Sequence, residues 1–115
     1  MKKYKIKNFK RGWFIGDFSP TLFKTKNFEI AMKTYEAGDC EDAHYHVKST
    51  EYTLVVNGSV KFNNKKYSEG DIIKVKKNEV VEFKSITDSV TMAVKIPSSK
   101  NDKFVVSYND IKTVS

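Results

Sequence analysis

The feature that most constrains this chain is the rhythm of its turns. Segments of four to eight residues rich in Val, Ile, Phe, Tyr and Thr alternate with turn signals roughly every 8 to 12 residues. No long amphipathic helical stretch competes with that pattern, so the expected fold class is all-β. Residues 28–35 place Phe28, Ile30, Met32 and Thr34 on one face and Glu29, Ala31, Lys33 and Tyr35 on the other, as in a half-buried strand. Gly38-Asp39 breaks that strand, a short one carries His44 to His46, and Glu51 to Val56 forms the next, ending at Asn57-Gly58. Asn-Gly between apolar runs predicts a type I′ hairpin, because both residues tolerate positive φ. A further hairpin is expected from Ser59 to Phe62, the Asn63-Asn64 turn and Lys65 to Tyr67, after which Glu69-Gly70 turns into Asp71 to Val75. Val80 to Lys84 and Val90 to Ile96 complete the set, with Pro97 closing the last strand because proline cannot donate to a ladder. Phe104, Val105, Val106 and Tyr108 are apolar enough to pack back as an edge strand or short helix. A chain of 115 residues can bury one core, so a single domain over residues 1–115 is expected, built as a jelly roll or related barrel that removes most strand edges.

Charge and hydropathy narrow the function classes. A net charge of +7 invites a nucleic-acid reading, since clustered cations gain affinity from counterion release at phosphates. However, Arg11 is the only arginine, and the lysines are scattered through the chain, so solvated faces account for them better. The longest apolar runs, such as residues 53–56, fall far short of the ~20 residues a transmembrane helix needs, and no apolar segment follows the basic start to make a signal peptide. Cys40 is the only cysteine, which excludes an intrachain disulfide; with the absence of a signal, it makes a cytoplasmic location the expectation.

The chemistry is concentrated between Gly38 and Gly58. In order stand Gly38, five residues, His44, Tyr45, His46, four residues, Glu51, six residues and Gly58. Residues two apart on a strand point the same way, so His44 and His46 share a face, and Glu51 on the adjoining antiparallel strand can meet them there. Two imidazoles and a carboxylate make a facial triad suited to Fe, Mn, Ni, Co or Zn, with open positions for substrate. Gly38 and Gly58 supply the turns that bring the strands together.

This spacing resembles the first signature motif of the cupin superfamily at every marked position. The resemblance implies a double-stranded β-helix, or jelly-roll, barrel over roughly residues 28–104. It also implies a divalent metal on His44, His46 and Glu51, and a homodimer paired through outer sheets. Residues 1–27 lie outside the motif, and Trp13, Phe14, Phe18 and Phe23 there are expected to cover the barrel or the dimer interface. The second cupin motif is degraded. Gly70 is present, but Lys76, Asn78 and Val81 occupy its other places, and Val81 replaces the fourth ligand. If Val81 faces inward so does Phe83, leaving Glu82 outside; only a bulge would turn Glu79 or Glu82 toward the site. Asn78 can take the turn conformation of the missing glycine.

Two functions follow from this reading. The first is a metal-dependent enzyme acting on a small polar molecule held inside the barrel, the metal polarising an oxygen or activating dioxygen. By strand parity Thr53, Val55, Val81 and Phe83 line the cavity, joined by Thr34 and Met92, and Lys48 continues the parity of the two histidines toward an anionic substrate. No separate catalytic base is apparent. The second is a non-catalytic cupin that binds a sugar or other small ligand without metal, which the missing fourth ligand favours.

Overall fold

The computed structural model describes residues 1–106 and is almost entirely β. Two 3-10 turns, Ile6–Asn8 and Lys10–Gly12, precede ten strands among the described residues. These are β1 (Trp13–Ile15), β2 (Glu29–Tyr35), β3 (Cys40–Tyr45), β4 (Thr50–Asn57), β5 (Ser59–Phe62), β6 (Lys65–Ser68), β7 (Ile72–Val75), β8 (Val81–Ser85), β9 (Ser89–Ile96) and β10 (Phe104–Val105). They form two five-stranded antiparallel sheets in the orders β1-β2-β9-β4-β7 and β10-β3-β8-β5-β6. β1 was not foreseen as a strand; it pairs with β2 and extends the first sheet. The expected edge strand at Phe104 and Val105 pairs with β3, while Tyr108 lies outside the described residues. No helix among the described residues is long and apolar enough to cross a membrane.

Two asparagine turns illustrate how local chemistry sets this topology. Asn63 and Asn64 both take positive φ, 51° and 69°, and close the β5–β6 hairpin as a type I′ turn requires. Asn57-Gly58 behaves otherwise. β4 pairs with β7 and β9 in one sheet, whereas β5 pairs with β6 and β8 in the other, so the expected hairpin is instead a corner between sheets. The ladder between β4 and β9 is irregular between Val55 and Asn57, which releases the chain to cross. Gly58 has φ 85°, and a Cβ there would strike the carbonyl oxygen of Asp88. Asn78, at φ 65°, takes the left-handed turn expected of it.

The apolar core sits between β4, β5, β7 and β8 and comprises Val55, Val60, Phe62, Ile73, Val75, Val81 and Phe83. Phe83 is its hinge, with its ring 5.2 Å from Phe62 and 4.6 Å from Tyr35. Toward β1, β2, β3 and β10 the interior becomes polar. On β2 the inward residues are Glu29, Ala31, Lys33 and Tyr35, and on β9 they are Ser89, Thr91, Ala93 and Lys95. The more apolar sides, with Ile30 and Met32 on β2 and Met92 and Val94 on β9, face outward. The expectation that Thr34 and Met92 line the cavity is therefore corrected. A strand with one apolar and one charged face normally turns the apolar face inward, but here the charged face belongs to an internal site.

Candidate functional site

His44 lies near the end of β3, His46 just beyond it and Glu51 near the start of β4; all three are buried. They share the wall of one cavity of about 270 Å³. Register explains part of this meeting. Glu51 is paired with Lys95, which is paired with Glu29, so one inward row across the first sheet reads carboxylate, ammonium, carboxylate. From the opposite sheet His44, paired with Val81, faces the same space.

The backbone fixes both imidazoles. His44 Nδ1 donates to the carbonyl of Asp42 at 2.8 Å, and His46 Nδ1 donates to the carbonyl of Asp102 at 2.9 Å. A carbonyl only accepts, so each Nδ1 carries a proton and Nε2 is the nitrogen left for the cavity. Burial and the nearby Lys95 ammonium lower the His46 pKa to about 4, so this ring is neutral at pH 7. Burial raises the Glu51 carboxyl above its ordinary range, against the pull of Lys33 and Lys95.

Sequence reasoning missed most of the remaining polar wall. Lys95 Nζ lies 3.7 Å from Glu29 Oε1, and Lys33 Nζ lies 3.8 Å from Glu41 Oε1. The Tyr35 hydroxyl donates to the same Glu41 oxygen at 2.8 Å. Burial opposes the Glu41 charge, but Lys33 and the Tyr35 hydroxyl outweigh it and hold the carboxyl below its ordinary range. Burial and Glu41 push the Tyr35 phenol upward, so it remains an O–H donor. Trp13 closes one side, its ring 5.0 Å from Lys33 Nζ and 5.8 Å from Lys95 Nζ. The available signal was strand parity: one face of residues 29–35 carries Glu, Lys and Tyr at every second position, except for Ala31.

Asp102 is the anchor beneath these groups. Its carboxylate accepts N–H bonds from Val47 at 2.9 Å, Lys48 at 2.9 and 3.1 Å and Ser49 at 3.0 Å, while its carbonyl orients His46. Thus Lys48 serves through its backbone. The residue is exposed, and its side chain does not line the cavity as parity had suggested. Thr53, Val81 and Phe83 line a small adjoining space of about 20 Å³ that shares His44 and Glu51 with this cavity. Thr34 instead lines two outer clefts, and Met92 lines none of these cavities. Glu79 and Glu82 remain exposed, with Glu79 accepting the Lys76 N–H.

The donor types fit a divalent ion: two free imidazole Nε2 atoms and a carboxylate. Among the described residues, however, no three His, Cys, Asp or Glu side chains are grouped so as to hold an ion as they stand. Binding one would require His44, His46 and Glu51 to draw together beside the Lys95 ammonium.

No family model matches this sequence, and neither does any curated protein. The fold does have clear counterparts among solved structures. An uncharacterized protein with a double-stranded β-helix domain from Klebsiella pneumoniae subsp. pneumoniae MGH 78578 is similar at TM-score 0.64 and 17% identity, over 71% of this chain and 72% of that one. An RmlC-like cupin from Desulfovibrio desulfuricans is similar at TM-score 0.58 and 19% identity, over 64% and 74% of the two chains. The bacterial pirin YhhW of Escherichia coli, in complex with nickel(II), is similar at TM-score 0.64 and 14% identity, over 76% of this chain and 39% of its own. The chain therefore has the cupin fold, a double-stranded β-helix of two antiparallel sheets.

Proposed function

We propose that this small cupin binds and transforms a small polar molecule inside the barrel, with His44, His46 and Glu51 as ligands of a divalent metal. The observation that carries the reading is the pinning of both Nδ1 atoms by backbone carbonyls, which leaves two Nε2 atoms for the cavity that Glu51 also lines. The nickel(II) bound to the pirin of the same fold is in keeping with it. A bound divalent ion supplies a Lewis acid for a carbonyl or carboxylate oxygen. The chain's own residues do the rest. The Tyr35 hydroxyl spends its proton on Glu41 and so fixes that carboxylate beside the cavity, and Thr53, Val81 and Phe83 keep the adjoining space tight. The test is elemental analysis of protein purified without an affinity tag and loaded anaerobically with iron or manganese, beside His44→Ala and Glu51→Ala. Stoichiometric metal in the wild type, lost in both variants, is expected; its absence from all three would sink the metal reading.

A second reading is a metal-free binding module, and one observation favours it. Lys95 places a buried ammonium in the same cavity, positioned to supply the positive charge itself. Under that reading the imidazoles hydrogen-bond a ligand directly and loading leaves the protein metal-free. As to assembly, the outward row Met32, Met92, Leu54 and Ile72 is apolar across four strands, with Leu54 and Ile72 36% and 66% exposed. This supports a homodimer through that face, which sedimentation of Leu54→Glu would convert to monomer.

A further inference from the structure

We propose that the mouth of this cavity recognises an oxyanion: Arg11 and Lys103 take the carboxylate or phosphate head group of a small ligand whose remainder lies toward His44 and Glu51. The inference rests on the reading that this cavity is the ligand site, and it stands with or without a metal. Charge is the first argument. Four cations line the cavity, Arg11, Lys33, Lys95 and Lys103, against three carboxylates. Lys33 and Lys95 each have a carboxylate within 4 Å, whereas Arg11 and Lys103 form no such ion pair among the described residues. An anion at the mouth offsets the charge of these two cations.

The second argument is residue type. Arg11 is the only arginine among 21 basic residues, and its planar fork matches carboxylate and phosphate oxygens in a way that lysine cannot. The third is backbone. Arg11 itself takes the left-handed conformation, φ 51° and ψ 30°, followed by Gly12 at φ 80°. A Cβ on Gly12 would overlap the carbonyl oxygen of Met32, so only glycine lets the chain lie this close to β2. A non-glycine residue persists in that conformation where its surroundings demand it. Here the result is an Arg11 side chain at the boundary of the inner cavity and an adjoining cleft of about 390 Å³. The inner volume, about 270 Å³, limits the ligand to a small metabolite.

Trp13, the only tryptophan, stands in the same wall and reports binding without a label. Its fluorescence is titrated with succinate, with its neutral diamide succinamide and with inorganic phosphate. A saturable change with succinate or phosphate is expected, the stronger of the two naming the head group, with succinamide inert. Arg11→Gln should raise the half-saturation concentration at least tenfold, as the loss of a charge-assisted pair predicts, and Arg11→Lys should recover part of it. Lys103→Gln should act in the same direction, with unchanged melting temperatures showing that both variants fold. Equal binding of succinamide and succinate, an Arg11→Gln titration within twofold of wild type, or no saturable response to either anion would each overturn the proposal. Metal content measured on the same samples separates the two ideas. Metal without an anion response refutes only the oxyanion site, and an anion response without metal refutes only the metal centre.

Discussion

Replacing Asp102 with Asn tests whether one carboxylate holds the site together. The native residue is 3% exposed, and its carboxylate accepts three backbone N–H groups, from Val47, Lys48 and Ser49. Hydrogen bonds to a charged group contribute about 1.5–3 kcal/mol each, and neighbours that share an acceptor do not add fully. Asn keeps one acceptor oxygen and turns an NH₂ donor toward N–H groups that also donate. The net loss should therefore be about 3 kcal/mol, equivalent to a fall in melting temperature of roughly 12 °C for a domain of this size.

The pH dependence gives the sharper check. Burial pushes the Asp102 carboxyl upward, but the N–H groups of Lys48, Val47 and Ser49 more than offset it, so its folded pKa lies below the unfolded value. Its stabilisation is thus fully present above the unfolded pKa of about 3.9 and is lost as pH falls through the lower folded value. Urea unfolding followed by Trp13 fluorescence at pH 7 and at successively lower pH follows this loss. The gap between wild type and Asp102→Asn should narrow in acid. A gap below about 0.5 kcal/mol at pH 7, within the range of an ordinary surface substitution, would refute the anchoring role, as would a gap that persists unchanged below the folded pKa.

Three other perturbations probe separate links. Phe83→Ala, at the contact of Phe62 and Tyr35, should cost about 3–5 kcal/mol in denaturant unfolding; a cost under 1 kcal/mol would mean that the core lies elsewhere. Gly58→Ala meets both a φ of 85° and the Asp88 carbonyl, so a loss above about 2 kcal/mol is expected, and a neutral result would contradict the sheet corner. Val81→His restores an imidazole at a buried position paired with His44 and should tighten Mn(II) or Ni(II) binding at least tenfold by calorimetry, at about 1–3 kcal/mol in stability. Unchanged affinity in a folded variant would argue that a side chain at position 81 does not reach an ion held by His44, His46 and Glu51.

Much of the fold was legible because turn chemistry is local. Asn63-Asn64, Glu69-Gly70 and Pro97 each mark a boundary that the strands observe within a residue or two. Asn57-Gly58 misled because the same dipeptide that closes a hairpin also serves a corner, and only the pairing of distant strands distinguishes them. In the site, His44, His46 and Glu51 stood out through their spacing, whereas Asp102 did not. Its bonds to residues 47–49 span more than fifty positions, a relation that no periodicity carries. The phase of β2 and β9 was misread for a different reason: hydrophobicity identifies the two faces of a strand but not which faces inward when the interior is a polar site.

That inversion links the two sheet faces to each other. Turning Glu29, Lys33, Thr91 and Lys95 inward leaves Ile30, Met32, Met92 and Val94 outside, because successive side chains alternate. One residue of register therefore sets both the charge of the cavity and the apolarity of the outer surface, and a register slip would change both together. Lys95→Leu would test this coupling, since it removes the ammonium between Glu29 and Glu51 while leaving the outer row intact. Two carboxylates would then share one inward row of a buried space with less positive charge, which favours protonation of one or uptake of a cation. If the proposed outer-face dimer forms, its dissociation constant should be unaffected while the cavity's preference shifts from anions toward cations. A dimer that weakened with this internal substitution would show instead that the two faces communicate through the sheet and are not merely coupled by the alternation of its side chains.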